Sequence, residues 1–141
     1  MKSNFIKRIS IAASVVLFLG LTTHSSCSAQ TEEKRLVAPV WEGKVSEWNG
    51  FNKTDFKFEN RDAYVVSPKT PAPGNPWVWR ARFPGFHAEA DLILLTRGFH
   101  IAYVNTNGLL GSPKAMEVWN NFYQHLTTNG LAKKCVLEGV S

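Results

Sequence analysis

Cysteine is almost missing from this 141-residue chain, which holds only Cys27 and Cys135. A disulfide framework is thereby excluded, because loss of the N-terminal segment leaves Cys135 alone in an apolar stretch, where a thiol acts as a small hydrophobe. Acidic residues are missing from the first 29 positions, which carry Lys2, Lys7 and Arg8, then an apolar run from Ile9 through Leu21, then Cys27-Ser28-Ala29. That layout predicts a secretory signal over residues 1–29. The run falls short of the roughly 20 residues that a membrane span needs, so export rather than a helical anchor is expected. Two fates fit the end of the signal: cleavage after Ala29, or lipidation at Cys27, which would make the protein an outer-membrane lipoprotein. The expected location is periplasmic or extracellular, with membrane contact only if Cys27 is lipidated.

Long basic runs are missing too. Of the 16 basic residues, 13 remain outside the signal against 11 acidic ones, a net charge of +2, with no basic run longer than Lys133-Lys134. A nucleic-acid partner is not expected from so dispersed a charge. No His-Glu-x-x-His arrangement or cysteine pair is present. His87, Glu89 and Asp91 are all ligand types, but residues two apart do not share a helix face, and acids in a first helical turn complement its dipole. Neither a metal nor a cofactor is expected.

What is present is an alternation of strand and helix signals. Residues 30–41 form a polar lead-in, and residues 42–141 carry the periodic segments. Asp55-Phe56-Lys57-Phe58-Glu59 alternates with period two, and Asn60-Arg61-Asp62 turns into Ala63-Tyr64-Val65-Val66, which predicts a hairpin. The proline-rich loop from Pro68 to Pro76 leads to a strand over Trp77–Phe83. Helical spacing from His87 through Arg97, stopped by Gly98, precedes a strand over Phe99–Val104. Ser112-Pro113 starts a second helix that reaches Thr128, with Ala115, Val118, Trp119, Phe122 and Leu126 as its apolar stripe. A last strand, Cys135–Leu137, runs into Gly139-Val140-Ser141. Three strands followed by alternating helices and strands predict an α/β fold, with a mainly parallel sheet opened by an antiparallel N-terminal pair. The 112 residues after the signal are few for such a fold, which routinely runs to about 200–250 residues, so residues 42–141 are expected to be an incomplete domain.

Several stretches carry a family resemblance: Trp48-Asn49-Gly50-Phe51, Pro73-Gly74-Asn75-Pro76-Trp77-Val78-Trp79-Arg80-Ala81-Arg82-Phe83, Leu94-Leu95-Thr96-Arg97-Gly98-Phe99-His100, Trp119-Asn120-Asn121-Phe122-Tyr123 and Leu137-Glu138-Gly139-Val140-Ser141. On these the chain resembles secreted bacterial α/β-hydrolase-fold proteins of the serine esterase and peptidase kind, over roughly Trp41 to Ser141. The resemblance implies the N-terminal half of an α/β-hydrolase fold, ending at the strand-to-helix turn that presents a nucleophile, with Ser141 as that nucleophile. It also implies that the acid and the histidine follow the serine in the chain, whereas His24, His87, His100 and His125 all precede it. The chain by itself is therefore expected to be inactive.

Acyl transfer needs donors aimed at the developing oxyanion. The backbone amide of Phe83, at the end of the tryptophan-arginine strand, takes that place in the resemblance. Arg82 suits an anionic substrate group, and Arg80 and Arg82 equally suit nearby carboxylates. The expected substrate is an ester, or a peptide or amide, of a small molecule, glycan or peptide. An alternative is a non-catalytic carbohydrate-binding module that stacks sugars on Trp41, Trp48, Trp77, Trp79 or Trp119, although Trp77 and Trp79 share one strand face and Trp119 lies on an apolar stripe, which suits core packing.

Overall fold

A computed structural model describes residues 38–139; the signal segment and Ser141 lie outside the described residues. The elements run β1 (Lys44–Trp48), β2 (Phe51–Phe58), β3 (Arg61–Ser67), β4 (Trp77–Arg80), α1 (Glu89–Thr96), β5 (His100–Val104), α2 (Pro113–Thr128) and β6 (Val136–Glu138). They form one six-stranded sheet in the order β1-β2-β3-β5-β4-β6.

Two tight hairpins build the first half. Asn49 and Gly50 both have positive φ, as do Glu59 and Asn60, and each pair forms a two-residue loop with Trp48 opposite Phe51 or Phe58 opposite Arg61. Loops of this length with both central residues left-handed match the natural twist of the strands they join. The strands β1, β2 and β3 are therefore antiparallel in series, and β3 meets β5 antiparallel as well. Parallel pairing is confined to the contacts of β4, with β5 on one side and β6 on the other.

This overturns the expected fold class. The sheet is mixed and dominated by antiparallel pairing, with two helices among the described residues, and not the helix-rich, mainly parallel half of an α/β-hydrolase. The physical reason lies in β1, which the periodicity of the sequence does not reveal. It is an edge strand with exposed residues on both faces up to the half-buried Trp48, so it lacks an alternating apolar pattern. Two shorter corrections accompany it. The tryptophan-arginine strand ends at Arg80 rather than Phe83, and the first helix starts at Glu89 rather than His87.

The two helices cover opposite faces. On one, α2 lays Val118, Phe122 and Leu126 against Ala63, Val65, Trp77, Ala102 and Val104. On the other, Leu95 of α1 packs with Val66, Val78 and Ile101. The alternation of Ala63 and Val65 against Val66, or Trp77 against Val78, is the period-two pleat distributing residues between two cores. Ser112 caps α2 by accepting from the Ala115 amide at 3.4 Å, with Pro113 in the first turn. The loop before β4 is pinned across the molecule: Asn75 Nδ2 donates to Gly130 O at 3.0 Å, and the Trp77 indole donates to Ala132 O at 2.7 Å.

Candidate functional site

The chain runs from β4 through α1 to β5, then back across β4 through α2 to β6, so the two crossovers diverge at β4. Where crossovers diverge, the loops after the parallel strands part and leave a crevice at their carboxyl ends. A cavity of about 360 Å³ sits there, lined by Ala81 and Arg82 after β4, Asn107 and Gly111 after β5, Trp119 of α2, and Gly139 after β6. An adjoining apolar cavity of about 390 Å³ shares Ala81, Trp119 and Gly139 and adds Trp79, Met116 and Leu137.

The loops at this end carry unusual backbone. Phe83, His87 and Leu110 have φ near +50° (50°, 49° and 47°), a region that non-glycine residues enter seldom and at some cost. At Phe83 the carbonyl is held in this conformation by a buried side chain. Arg80, with none of its surface exposed, turns its guanidinium back on its own loop: Nε and Nη2 donate to Phe83 O at 3.3 and 3.1 Å, and Nη2 also donates to Phe86 O. Its remaining nitrogen, Nη1, donates to Asp91 Oδ2 of α1 at 2.6 Å and to Glu138 Oε1 of β6 at 2.8 Å. One arginine thus ties together the β4–α1 loop, α1 and the end of β6.

Two carboxylates around a single guanidinium leave the cluster one positive charge short. Burial pushes the Asp91 carboxyl up to about 7, helped by the neighbouring Glu138 carboxyl and opposed by Arg80. Asp91 Oδ1 and Glu138 Oε2 are buried without a partner among the described residues. A proton held between the two carboxyls would give an orphan oxygen its partner and cancel the excess charge.

The sequence-derived candidates fall as follows. Arg82 borders the cavity, with its guanidinium 4.9 Å from the centroid of the Phe83 ring. Phe83 is 39% exposed, and its amide has no hydrogen-bond partner among the described residues. Ser141 lies outside the described residues, but Gly139, two positions before it, lines both cavities. No histidine lines either cavity. His100 is buried at the opposite end of β5, with Nδ1 3.4 Å from Pro76 O, and burial lowers its pKa. His125 lies among Trp41, Phe56 and Phe58, where burial has the same effect.

No family model, curated protein or solved structure matches the chain.

Among the described residues no group of three or more His, Cys, Asp or Glu is placed to hold a metal ion, and no helix is long and apolar enough to cross a membrane. The trio His87, Glu89 and Asp91 separates: His87 and Glu89 stay exposed, 3.9 Å apart, while Asp91 turns inward to Arg80. Of the tryptophans on which a sugar-binding module would draw, Trp77 is wholly buried, and Trp41, Trp79 and Trp119 lean against the α2 core. Arg80 meets nearby carboxylates, as the sequence suggested; what sequence reasoning missed is that the partners are Asp91 and Glu138 and that the guanidinium also holds its own loop. The signal was an arginine inside an otherwise apolar strand, which cannot be buried without carboxylates to meet it.

Proposed function

We propose that the chain contributes the nucleophile-bearing part of an exported serine hydrolase, acting on an ester or amide through an acyl-enzyme on Ser141. The observation that carries the reading is the position of Gly139 in the cleft at the carboxyl ends of β4, β5 and β6. Ser141 follows Gly139 by two positions in the chain. The adjacent loop offers the Phe83 amide, without a partner among the described residues, as an oxyanion donor, and Arg82 as a contact for an anionic substrate group.

In this reading a histidine from outside residues 38–139 takes the Ser141 proton as Oγ attacks the carbonyl carbon. The oxyanion accepts from backbone amides and collapses, expelling the alcohol or amine, which takes the proton from the histidine. Water then releases the acid by the same steps in reverse order. The apolar wall of Trp79, Met116, Trp119 and Leu137 favours a substrate with a hydrophobic flank beside the scissile bond. The residues 1–29 layout supports export.

The test is a fluorophosphonate probe, applied to protein expressed with any coding sequence that follows codon 141. Mass spectrometry is expected to place the adduct on Ser141, and Ser141→Ala to abolish both labelling and aryl-ester hydrolysis. Equal labelling of the Ser141→Ala protein would sink the proposal.

A further inference from the structure

The Arg80 cluster does more than neutralise charge in a core. Its guanidinium donates to two loop carbonyls, Phe83 and Phe86, and reaches a carboxylate on each of two separate elements, Asp91 on α1 and Glu138 on β6. Phe83 lies in the loop that follows β4, Glu138 ends the adjacent parallel strand β6, and the Ala81 amide donates to Glu138 O at 3.0 Å between them. The residue immediately after Glu138 is Gly139 of the cleft. A change in the hold on Glu138 therefore reaches the cleft through one peptide unit.

We propose that Arg80 is a positioning residue for the cleft, locking the β4–α1 loop to the end of β6, and that one proton shared by Asp91 and Glu138 sets the strength of that lock. With the proton in place, one guanidinium faces one net negative charge and the buried cluster is neutral. Without it, two carboxylates compete for Nη1 and repel each other. Glu138, whose side chain is 19% exposed against 1% for Asp91, is the partner with a route to water. The end of β6 then loosens while Asp91 keeps Arg80.

The other groups packed around Asp91 inside the core do not supply this proton. From β3, Tyr64 senses both Asp91 and Arg80, but burial drives its hydroxyl further above the ordinary tyrosine range, and it stays neutral. From β5, Tyr103 reaches the cluster only through its ring, stacked 5.3 Å from that of Tyr64, and its hydroxyl is also raised. His87 and Glu89, at the start of α1, face solvent and each other. The raised Asp91 carboxyl, pushed up to about 7, agrees with the shared proton.

The lock rests on the serine-hydrolase reading only for what it positions, and two measurements separate them. In the first, ¹³C carboxyl shifts of Asp91 and Glu138 and the ¹H–¹⁵N shift of Gly139 are followed from pH 5 to 9 in the wild-type protein and in Asp91→Asn. Asparagine presents an acceptor to Arg80 and a donor to Glu138, so it mimics the protonated acid and keeps the fold. Gly139 is expected to move with the Asp91 midpoint in the wild type and to stay still in Asp91→Asn. A Gly139 shift that ignores Asp91, or that persists in the variant, overturns the inference.

The second measurement is the pH profile of fluorophosphonate labelling. The wild-type rate is expected to fall above the Asp91 midpoint and the Asp91→Asn rate to lose that fall, while Arg80→Gln slows labelling on the order of 10²-fold at every pH. Labelling of Ser141 with no Asp91-linked profile defeats the lock and leaves the hydrolase. Linked Gly139 shifts without any Ser141 adduct defeat the hydrolase and leave the lock.

Discussion

Arg80 shows why single residues in this chain cannot be valued by type alone. A lone guanidinium with no exposed surface would be prohibitive in an apolar core, and here every donor nitrogen meets an oxygen. Replacing Arg80 by Met strands the Asp91 and Glu138 carboxylates, a change expected to cost about 3–5 kcal/mol in chemical denaturation at pH 8. Asp91 also gives stability an uncommon pH sense. Burial pushes its carboxyl up to about 7, above the ordinary aspartate value of 3.8, so the folded protein holds this proton more tightly than the unfolded chain. The stabilisation from this group is full below about 4 and is lost as pH rises through 7. His100 and His125, lowered by burial, act in the opposite sense. The difference between wild type and Asp91→Asn isolates the effect: the variant is expected to gain stability relative to wild type as pH is raised from 5 to 8, read from urea midpoints. Gly98 is the clearest backbone requirement. Its φ is 86°, and a Cβ there would collide with the Ala72 backbone, which also donates to Gly98 O. Gly98→Ala is expected to lower stability by more than the roughly 1 kcal/mol typical of a point mutation, measured as a shift in Tm.

Among the elements, legibility followed the strength of the local signal. The long helix α2 was readable from Ser112-Pro113 and the stripe Ala115, Val118, Trp119, Phe122 and Leu126, all of which are buried except the half-buried Trp119. The β2–β3 hairpin was readable from alternation and a polar turn. The β1–β2 hairpin was not, although Asn49-Gly50 carries the backbone preference for a two-residue loop, because the strand before it has no apolar period to accompany the turn. That omission hid one of the three antiparallel pairings, the one that tips an otherwise even balance of the sheet toward antiparallel. The short α1 was legible in extent within two residues but not in role. Its acids read as dipole partners, whereas Asp91 is committed to Arg80 of β4. Contacts between residues 11 or 58 positions apart, such as Arg80 with Asp91 or Glu138, leave no periodic trace in a sequence. At this scale α2 is the element most sensitive to truncation: Phe122→Ala, at a wholly buried position beside Phe58 and Trp79, is expected to cost about 3–5 kcal/mol in urea denaturation.

As a whole, the sheet presents two unlike edges. The β1 edge is polar, with Lys44, Ser46 and Glu47 along it, and charged edges resist pairing with other chains. The β6 edge carries Val136 and Leu137, the latter 76% exposed, next to the exposed Met116. Such an edge favours strand addition from another copy. Leu137→Lys is expected to reduce concentration-dependent light scattering of the isolated chain, with Val45→Lys on the opposite edge as a control that changes little. The strand order bears on how the molecule is made. Both neighbours of β4 lie later in the sequence than β4 itself, so during synthesis Trp77–Arg80 must wait, first for β5 and then for the last strand described. The N-terminal hairpins can close early on local contacts, but Arg80 meets Glu138 only when 58 further residues have emerged. A ribosome stalled before that point would hold a nascent chain with its arginine half-compensated, so the same contact that borders the cleft also serves as the closing step of assembly.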